Sequence, residues 1–541
     1  MMLDSIKKIK RRTQTMRKTI SLFLALILSI TLLGGISLAE DTRETLTILI
    51  QDSSYIEDYE TNAYTKHLEE VFGINLDFQL LPSSGAGDKL AMMINSGETL
   101  PDIILYDLNY NTTWKYAQTG AIIPLTKYYE DPEYNANFEA CKEIVGYDYL
   151  QYILMPDGEY YSIPYFQREI HSEVNNKLWI NQAWLKNLNL EMPKTTEEFY
   201  EVMKAFVNDD PNGNGIKDEY GIDASTNGRQ GSILTWLMNA FIYDDYNDHF
   251  ILTDGKVDVA YDKEAWKEGL LYIRKLVDEG IIDVDCFTRD RAQQKALAEN
   301  EEINIVGSFM NSSISLLNNT TDRWQDFVGC EPLTGPEGVS FCSYNQSTAK
   351  NRWFITKDCK NPDLAFKIGA FIHDPTEEEF LLIRYGVEGL DWVRPETDKA
   401  NYEGFKATHH TIRTIWNTYQ NSHWQKNGPI FAWNSDQAGW DTGDPDDWNH
   451  RVPTIVVKYI NHLPAEGEYV PTLIYTEDEI DEASEIQSNL KTYVKECETL
   501  FVTRQMSIED DWDSYLQELE NIGYKQFIAV SQQAYDRMYG K

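Results

Sequence analysis

The sequence predicts an α/β protein of at least two lobes, on three observations. Its 541 residues are too many for one ordinary hydrophobic core. A strand, helix, strand, helix, strand pattern opens the globular part, as in a parallel sheet with crossover helices. Amphipathic helices with clear stop signals then dominate, and 42% apolar residues is a globular composition.

The first 39 residues read as a targeting segment. Lys7, Lys8, Lys10, Arg11, Arg12, Arg17 and Lys18 form a basic region, Ile20 to Ile36 is apolar, and Ser37-Leu38-Ala39 offers small residues for cleavage. The alternative is a retained membrane anchor, since the apolar run is near the lower length limit for a span. No cysteine lies in this segment for lipid attachment. The formal net charge of −39 becomes −45 once the seven basic residues and one acidic residue of positions 1–39 are removed. That charge argues against nucleic acid and anionic membrane as partners and suits neutral or cationic ligands. The 14 Trp, 33 Tyr and 21 Phe build cores, and their flat faces also stack on sugar rings.

Thr45 to Gln51 alternates as a strand, and Asn62 to Phe72 has helical spacing. Ile74 to Leu80 is a second strand, and Asp88 to Asn95 a helix stopped by Gly97. Ile103 to Tyr106 is the third strand. Ligands of such sheets bind beyond the carboxyl ends of the strands, which makes Tyr106 and Asp107 cleft candidates. Val174 to Ile180 reads as extended. Thr195 and Glu198 form a capping box, and Phe199, Val202, Met203, Phe206 and Val207 share one face of the helix that follows.

That helix leads into Asp209-Asp210-Pro211-Asn212-Gly213-Asn214-Gly215-Ile216-Lys217-Asp218-Glu219-Tyr220. Side-chain oxygens recur at Asp210, Asn212 and Asn214, Gly215 permits a sharp turn, Ile216 offers a carbonyl, and Asp218 with Glu219 closes the set. Calcium takes six to eight oxygens, and the first half of an EF-hand loop supplies them at this spacing. An EF-hand places its bidentate Glu at loop position 12, which here is Gly221, so the set closes early. The competing reading is a polar turn without an ion. Non-helical Tyr220-Gly221-Ile222-Asp223 excludes a paired EF-hand switch and leaves a structural clip.

Glu264 to Glu279 is helical and ends at Gly280, and Arg289 to Asn300 and Asn361 to Phe371 are helical too. Ile303 to Gly307 is a short strand expected to return the chain to the first lobe. Tyr402 to Arg451 is rich in Trp and His, with little periodicity. Three acidic helices close the chain, at about 477–501, 508–521 and 525–539. The cysteines 141, 286, 330, 342, 359 and 497 form no C-x-x-C pair; Cys330 and Cys342 span a loop that a disulfide would close, while buried thiols are the commoner outcome.

Several blocks together resemble the extracellular solute-binding proteins of ABC importers, family 1, in the large oligosaccharide-binding, LipO-like branch. They are Ser96-Gly97-Glu98-Thr99-Leu100-Pro101-Asp102-Ile103, Trp184-Leu185 with Pro193-Lys194-Thr195 and Phe199, and the oxygen-rich loop. Glu279-Gly280-Ile281-Ile282-Asp283 with Phe287-Thr288, Gly335-Pro336-Glu337-Gly338, and Tyr385-Gly386-Val387-Glu388-Gly389 follow, and Trp512-Asp513-Ser514-Tyr515, Gly523 and Ala534-Tyr535-Asp536-Arg537 close the set. The resemblance covers about residues 45–538. It implies a two-lobed, type II periplasmic-binding-protein-like fold with a hinge and an interlobe ligand cleft. The expected lobes are 40–165 with about 303–370, and 166–302 with about 371–541. It also implies calcium held by Asp210, Asn212, Asn214, the Ile216 carbonyl, Asp218 and Glu219. Gram-positive members are usually lipoproteins, so the missing cysteine favours a periplasmic or released protein.

The expected function is capture of an oligosaccharide by a monomeric exported protein that delivers it to a membrane permease. Trp236, Phe309, Trp392 and Trp433 are the candidate aromatic platforms, and Glu388 and Asp107 the candidate hydroxyl acceptors. The alternatives are a secreted glycosidase, which needs two carboxylates across a cleft, and a peptide receptor. No G-x-S-x-G, H-E-x-x-H, P-loop or G-x-G-x-x-G occurs, and His409-His410 lacks metal-ligand spacing, so binding without catalysis is expected.

Overall fold

The computed structural model describes residues 43–168, 170–300, 303–318, 321–395, 407–412, 418–433 and 451–540. The expected targeting segment lies outside them, as does much of the Trp- and His-rich region. Thirteen short strands are described: β1 (Thr45–Gln51), β2 (Asn75–Leu81), β3 (Ile103–Leu108), β4 (Ile163–Arg168), β5 (Leu178–Asn181), β6 (Phe250–Thr253), β7 (Lys256–Val259), β8 (Ser308–Met310), β9 (Phe327–Cys330), β10 (Lys350–Ile355), β11 (Trp392–Val393), β12 (His410–Thr411) and β13 (Phe431–Trp433).

The first lobe is built on a six-stranded sheet of order β13-β4-β10-β3-β1-β2. β1 pairs in parallel with β2 and β3, as the crossover pattern requires, and Leu46, Ile48, Leu49 and Ile50 of β1 are all buried between helices. β10 then enters antiparallel between β3 and β4, and β13 lies parallel to β4. The second lobe holds a three-stranded sheet of order β8-β5-β9. Isolated bridges Tyr220↔Val306, Asp223↔Phe309 and Ile222↔Ile282 widen it.

The buried apolar side chains divide the same way. Two clusters draw on residues 46–166 and 349–432, and two others on 170–342 and 452–530. The chain therefore crosses between lobes after β4, between Cys342 and Ala349, and between Trp433 and Val452. This corrects the expected boundaries. The described residues of 303–330 stay in the second lobe, because Ser308–Met310 pairs with β5 and a Cβ on Gly307 would meet Phe206 at 2.5 Å. The described residues between 371 and 433 belong with the first lobe, where Phe380, Leu381, Ile383, Trp424 and Phe431 fill its core.

The expected helices form where their caps place them. Thr195 Oγ1 accepts from the Glu198 amide at 3.2 Å, and Glu198 Oε2 accepts from the Thr195 amide at 3.2 Å. The helix Thr196–Asn208 so started buries Phe199, Val202, Met203, Phe206 and Val207. The helices Glu477–Val502, Ile508–Ile522 and Tyr524–Tyr539 pack onto the second lobe. Their end reaches back to the first: Tyr539 and Tyr152 hydroxyls lie 3.0 Å apart. All six cysteines are free thiols, five of them buried. Among the described residues no helix is long and apolar enough to cross a membrane.

Candidate functional site

The carboxyl ends of β3, β4 and β13, with the start of β10, form a charged and aromatic rim on the first lobe. Asp107, at the end of β3, lies half-exposed against Arg352, whose Nη2 donates to its Oδ2 at 2.6 Å. Arg352 is the third residue of β10, which reads Lys-Asn-Arg-Trp-Phe-Ile. It donates to the Lys426 carbonyl at 2.6 Å and lies 4.4 Å from the Tyr165 ring centroid. Arg168, at the end of β4, lies 4.8 Å from the centroid of Trp433, and Trp433 in turn stacks on Phe166 at 6.0 Å and 13°. The parallel pairing of β13 with β4 places Trp433 directly beside Arg168. The partly exposed Trp433 indole thus has a guanidinium and a buried ring as its neighbours.

Behind this rim, the first crossover carries Glu173, 2% exposed, with its Oε2 3.7 Å from Arg168 Nε. Burial pushes the Glu173 carboxyl upward, while Arg168 and the Ser347 amide oppose that shift. The Asn345 and Ser347 amides, both on the second crossover, donate to Glu173 and tie two of the three crossovers together. Tyr344 and Tyr469 meet edge to face at 5.1 Å close by. On the second lobe, Asn311 follows β8. It is 1% exposed and accepts from Arg291 at 2.7 Å.

Of the residues expected in a cleft, the structure brings Asp107 and Trp433 to this rim. Tyr106 lines a groove of about 390 Å³ with Asp107, between the helices Ala86–Ser96 and Tyr110–Gln118. Glu388 is exposed on a loop, 3.7 Å from Arg394. Three of the aromatics are core side chains. Trp236 is 5% exposed, and its Nε1 donates to Tyr459 Oη at 2.7 Å. Phe309 is fully buried, its ring 5.0 Å from that of Phe327. Trp392 is 3% exposed, and its Nε1 donates to the Gly386 carbonyl at 2.8 Å. Each aromatic has its surface and any polar handle satisfied inside the fold, which leaves no face for a ligand. Sequence reasoning missed Arg168, Glu173 and Arg352. The available signal was slight: Arg352 directly precedes the apolar run Trp353-Phe354-Ile355 of β10.

The oxygen-rich loop is folded tightly upon itself. Asp210 takes φ +48°, and Gly213 and Gly215 take +72° and +76°. The Asp210 carboxylate accepts from the Asn214 and Gly215 amides, each at 3.0 Å. Asn212 Oδ1 accepts from the Asn214 amide at 3.0 Å, and Asn214 Oδ1 from the Ile216 amide at 2.6 Å. The Asn214 side-chain amide donates to Asp218 at 3.1 Å, and Asn212 reaches both Asp218 and the Asn304 carbonyl. Glu219 Oε1 is buried with no hydrogen-bond partner. Among the described residues, no three His, Cys, Asp or Glu side chains gather closely enough to hold a metal by themselves. The loop's donor set depends on asparagine amides and a backbone carbonyl as well. Those oxygens suit a hard cation, and the unpartnered Glu219 oxygen is the atom such an ion would satisfy.

A family model for bacterial extracellular solute-binding proteins matches residues 62–379, more than half of the chain. The chain belongs to that family. The fructooligosaccharide ABC transporter substrate-binding protein FusA of Streptococcus pneumoniae serotype 4 is 28% identical over 519 residues, covering 93% of this chain and 92% of FusA. Solved FusA structures, one with kestose and one of an EF-hand mutant with fructo-nystose, match at a TM-score of 0.71 and 24% identity, covering 91% of this chain and 99% of theirs. An extracellular solute-binding protein from Bifidobacterium longum subsp. infantis matches at a TM-score of 0.74 and 18% identity, covering 92% and 99%. The fold of this solute-binding protein is therefore the two-lobed one that its two separate cores display.

Proposed function

We propose that this solute-binding protein captures an oligosaccharide between its lobes and hands it to the membrane subunits of an ABC importer. The observation that carries the reading is the partly exposed Trp433 indole, with Arg168 and Phe166 as its neighbours, beside the Arg352–Asp107 pair. A sugar ring offers an apolar face to stack on an indole and a belt of hydroxyls for charged side chains. Arg352 orients the Asp107 carboxylate as a hydroxyl acceptor, and Arg168 keeps donor hydrogens beside the ring. The two crossovers that meet at Glu173 form the hinge about which the second lobe closes on the sugar.

The protein acts as a monomeric, exported receptor and not as an enzyme. Each rim carboxylate is engaged by an arginine, an arrangement suited to holding a substrate rather than cleaving it. The loop takes up Ca²⁺ through Asp210, Asn212, Asn214, the Ile216 carbonyl, Asp218 and Glu219. When bound, the ion offsets two of the three carboxylate charges and fixes the link between the helix Thr196–Asn208 and the second sheet.

The test is intrinsic tryptophan fluorescence of the mature protein, titrated with a panel of oligosaccharides and peptides, with product analysis of each mixture. A saturable change with an intact oligosaccharide recovered supports the reading. Shortened sugars would replace it with a glycosidase, and a response to peptides alone with a peptide receptor.

A further inference from the structure

The second lobe carries a groove of about 220 Å³ whose lining contains no first-lobe residue. Its walls are the segment 224–235, the loop 246–249, Cys286 with Phe287, and one face of the helix Glu477–Val502. That helix contributes Lys491, Lys495, Glu498 and Thr499, spaced to share a face.

Three observations set the groove apart from an ordinary surface depression. First, Glu498 is 7% exposed, lines the groove, and accepts no hydrogen bond from any described residue. A buried carboxylate without a donor costs stability unless a ligand or water supplies one. Burial accordingly pushes it up to about 8, against the opposing pull of His249. Second, the loop at its side is strained. Tyr246 and His249 take φ of +73° and +54°, a region costly for bulky side chains. Asp245 Oδ1 accepts three consecutive amides there, from Asn247, Asp248 and His249, at 2.8–3.1 Å. The His249 Nδ1 is held at 2.8 Å by the buried Asp244. Third, the donors and acceptors around the cavity are of mixed type. Ser225, Thr226 and Thr499 offer hydroxyls, Lys495 an ammonium, and the rings of Tyr246 and Phe287 lie beside them.

We propose that this groove is a second binding site, confined to one lobe, for a neutral polyhydroxylated ring of monosaccharide size. A charged ligand is disfavoured because the cationic groups of the lining already have acidic neighbours: Lys491 lies 3.3 Å from Asp248, His249 Nδ1 lies 2.8 Å from Asp244, and Lys495 acts on Glu498. A hydroxyl group exchanges a hydrogen bond with the Glu498 carboxyl and accepts from Lys495 at no cost in net charge, and a sugar ring presents several at once. The cavity is smaller than the 300–1,000 Å³ usual for larger ligands, which limits the occupant to one ring. The site is independent of the Trp433 rim and of the oligosaccharide reading made there.

The experiment is saturation-transfer difference NMR on the mature protein with D-glucose and D-fructose as probes. Wild type is compared with Trp433→Ala, Thr499→Trp and Glu498→Gln. Thr499 is half-buried on the helix surface, so T499W fills the groove without opening the core; E498Q keeps the shape and removes the ionisable carboxyl. Expected is transfer to at least one sugar in wild type and in W433A, falling about fivefold or more in T499W and E498Q. Melting curves of both variants confirm that they are folded, and their response to oligosaccharide by tryptophan fluorescence stays at the wild-type level. No transfer to either sugar in wild type overturns the proposal. So does transfer that W433A abolishes, or transfer unchanged in the two groove variants.

Discussion

The oxygen-rich loop and the first-lobe rim assemble polar groups in opposite ways. In the loop, the groups that converge lie within ten consecutive positions, and its bonds run from Asp210 to residues four and five further on. At the rim, Asp107 meets Arg352 across 245 positions, and Arg168 meets Trp433 through the pairing of β4 with β13. The loop takes its shape from local glycines and Asx turns. The rim exists only once the sheet has closed. The loop is therefore expected to govern stability and the rim to govern affinity, with little exchange between them.

The largest effect is expected where an aromatic belongs to neither. Trp236→Ala empties a buried site and leaves the Tyr459 hydroxyl only its bond from the Leu178 amide, so urea unfolding should show a loss of about 3–5 kcal/mol. The folded fraction should keep its sugar affinity. A tenfold weaker affinity in well-folded W236A would return Trp236 to the cleft and break the comparison.

Removing the ion comes next. At millimolar calcium and a dissociation constant near 10⁻⁵ M, linkage contributes roughly 2.7 kcal/mol. A chelator should lower the melting temperature of wild type and leave Asp210→Ala unmoved, since that variant has already lost the ligand. If chelation leaves the wild-type curve where it was, the loop is a polar turn.

At the rim, Trp433→Ala should weaken oligosaccharide binding about tenfold, or ~1.4 kcal/mol, with the melting temperature nearly unchanged. Calorimetric titration beside a melting curve separates the two. A large stability loss with unaltered affinity would make Trp433 a packing residue.

The smallest effect is one of pH. Burial raises Glu498 from 4.5 to about 8, and His249 is raised from 6.5 to about 9 by the adjacent Asp244 against burial. In both cases the folded state holds the proton more tightly. The stability they contribute is complete at pH values below the unfolded-state constants, and it is lost progressively as pH rises from 4.5 to about 8 for Glu498 and from 6.5 to about 9 for His249. Thermal melts from pH 5 to 9.5 should therefore fall steadily and level off above about 9, and Glu498→Gln should flatten the part below pH 8. Equal slopes in the two proteins would show that Glu498 is solvated like a surface carboxylate.

What sequence alone determined was whatever a short stretch of chain decides. The β1–β3 crossover unit lies where alternation and stop signals put it, and the Thr195–Glu198 box starts its helix at the expected turn. The glycines of the oxygen-rich loop take the left-handed conformations their positions require. The family blocks likewise read as stretches, and they pointed to the two-lobed solute-binding fold.

Partner choice between distant strands was beyond such reading. Ile303–Gly307 looks like any short apolar strand, and only the pairing of Ser308–Met310 with β5 assigns it to the second lobe. Tryptophans carry no mark of burial in sequence. Trp236, Trp392 and Trp433 look alike there, yet two find a carbonyl or hydroxyl partner inside a core while Trp433 keeps a face beside Arg168. Arg168 and Arg352 acquire meaning only from the neighbours that sheet closure brings to them. Hydrogen bonding along a turn is a property of adjacent residues, whereas burial and charge pairing belong to the packed whole, and the tertiary structure alone decided those.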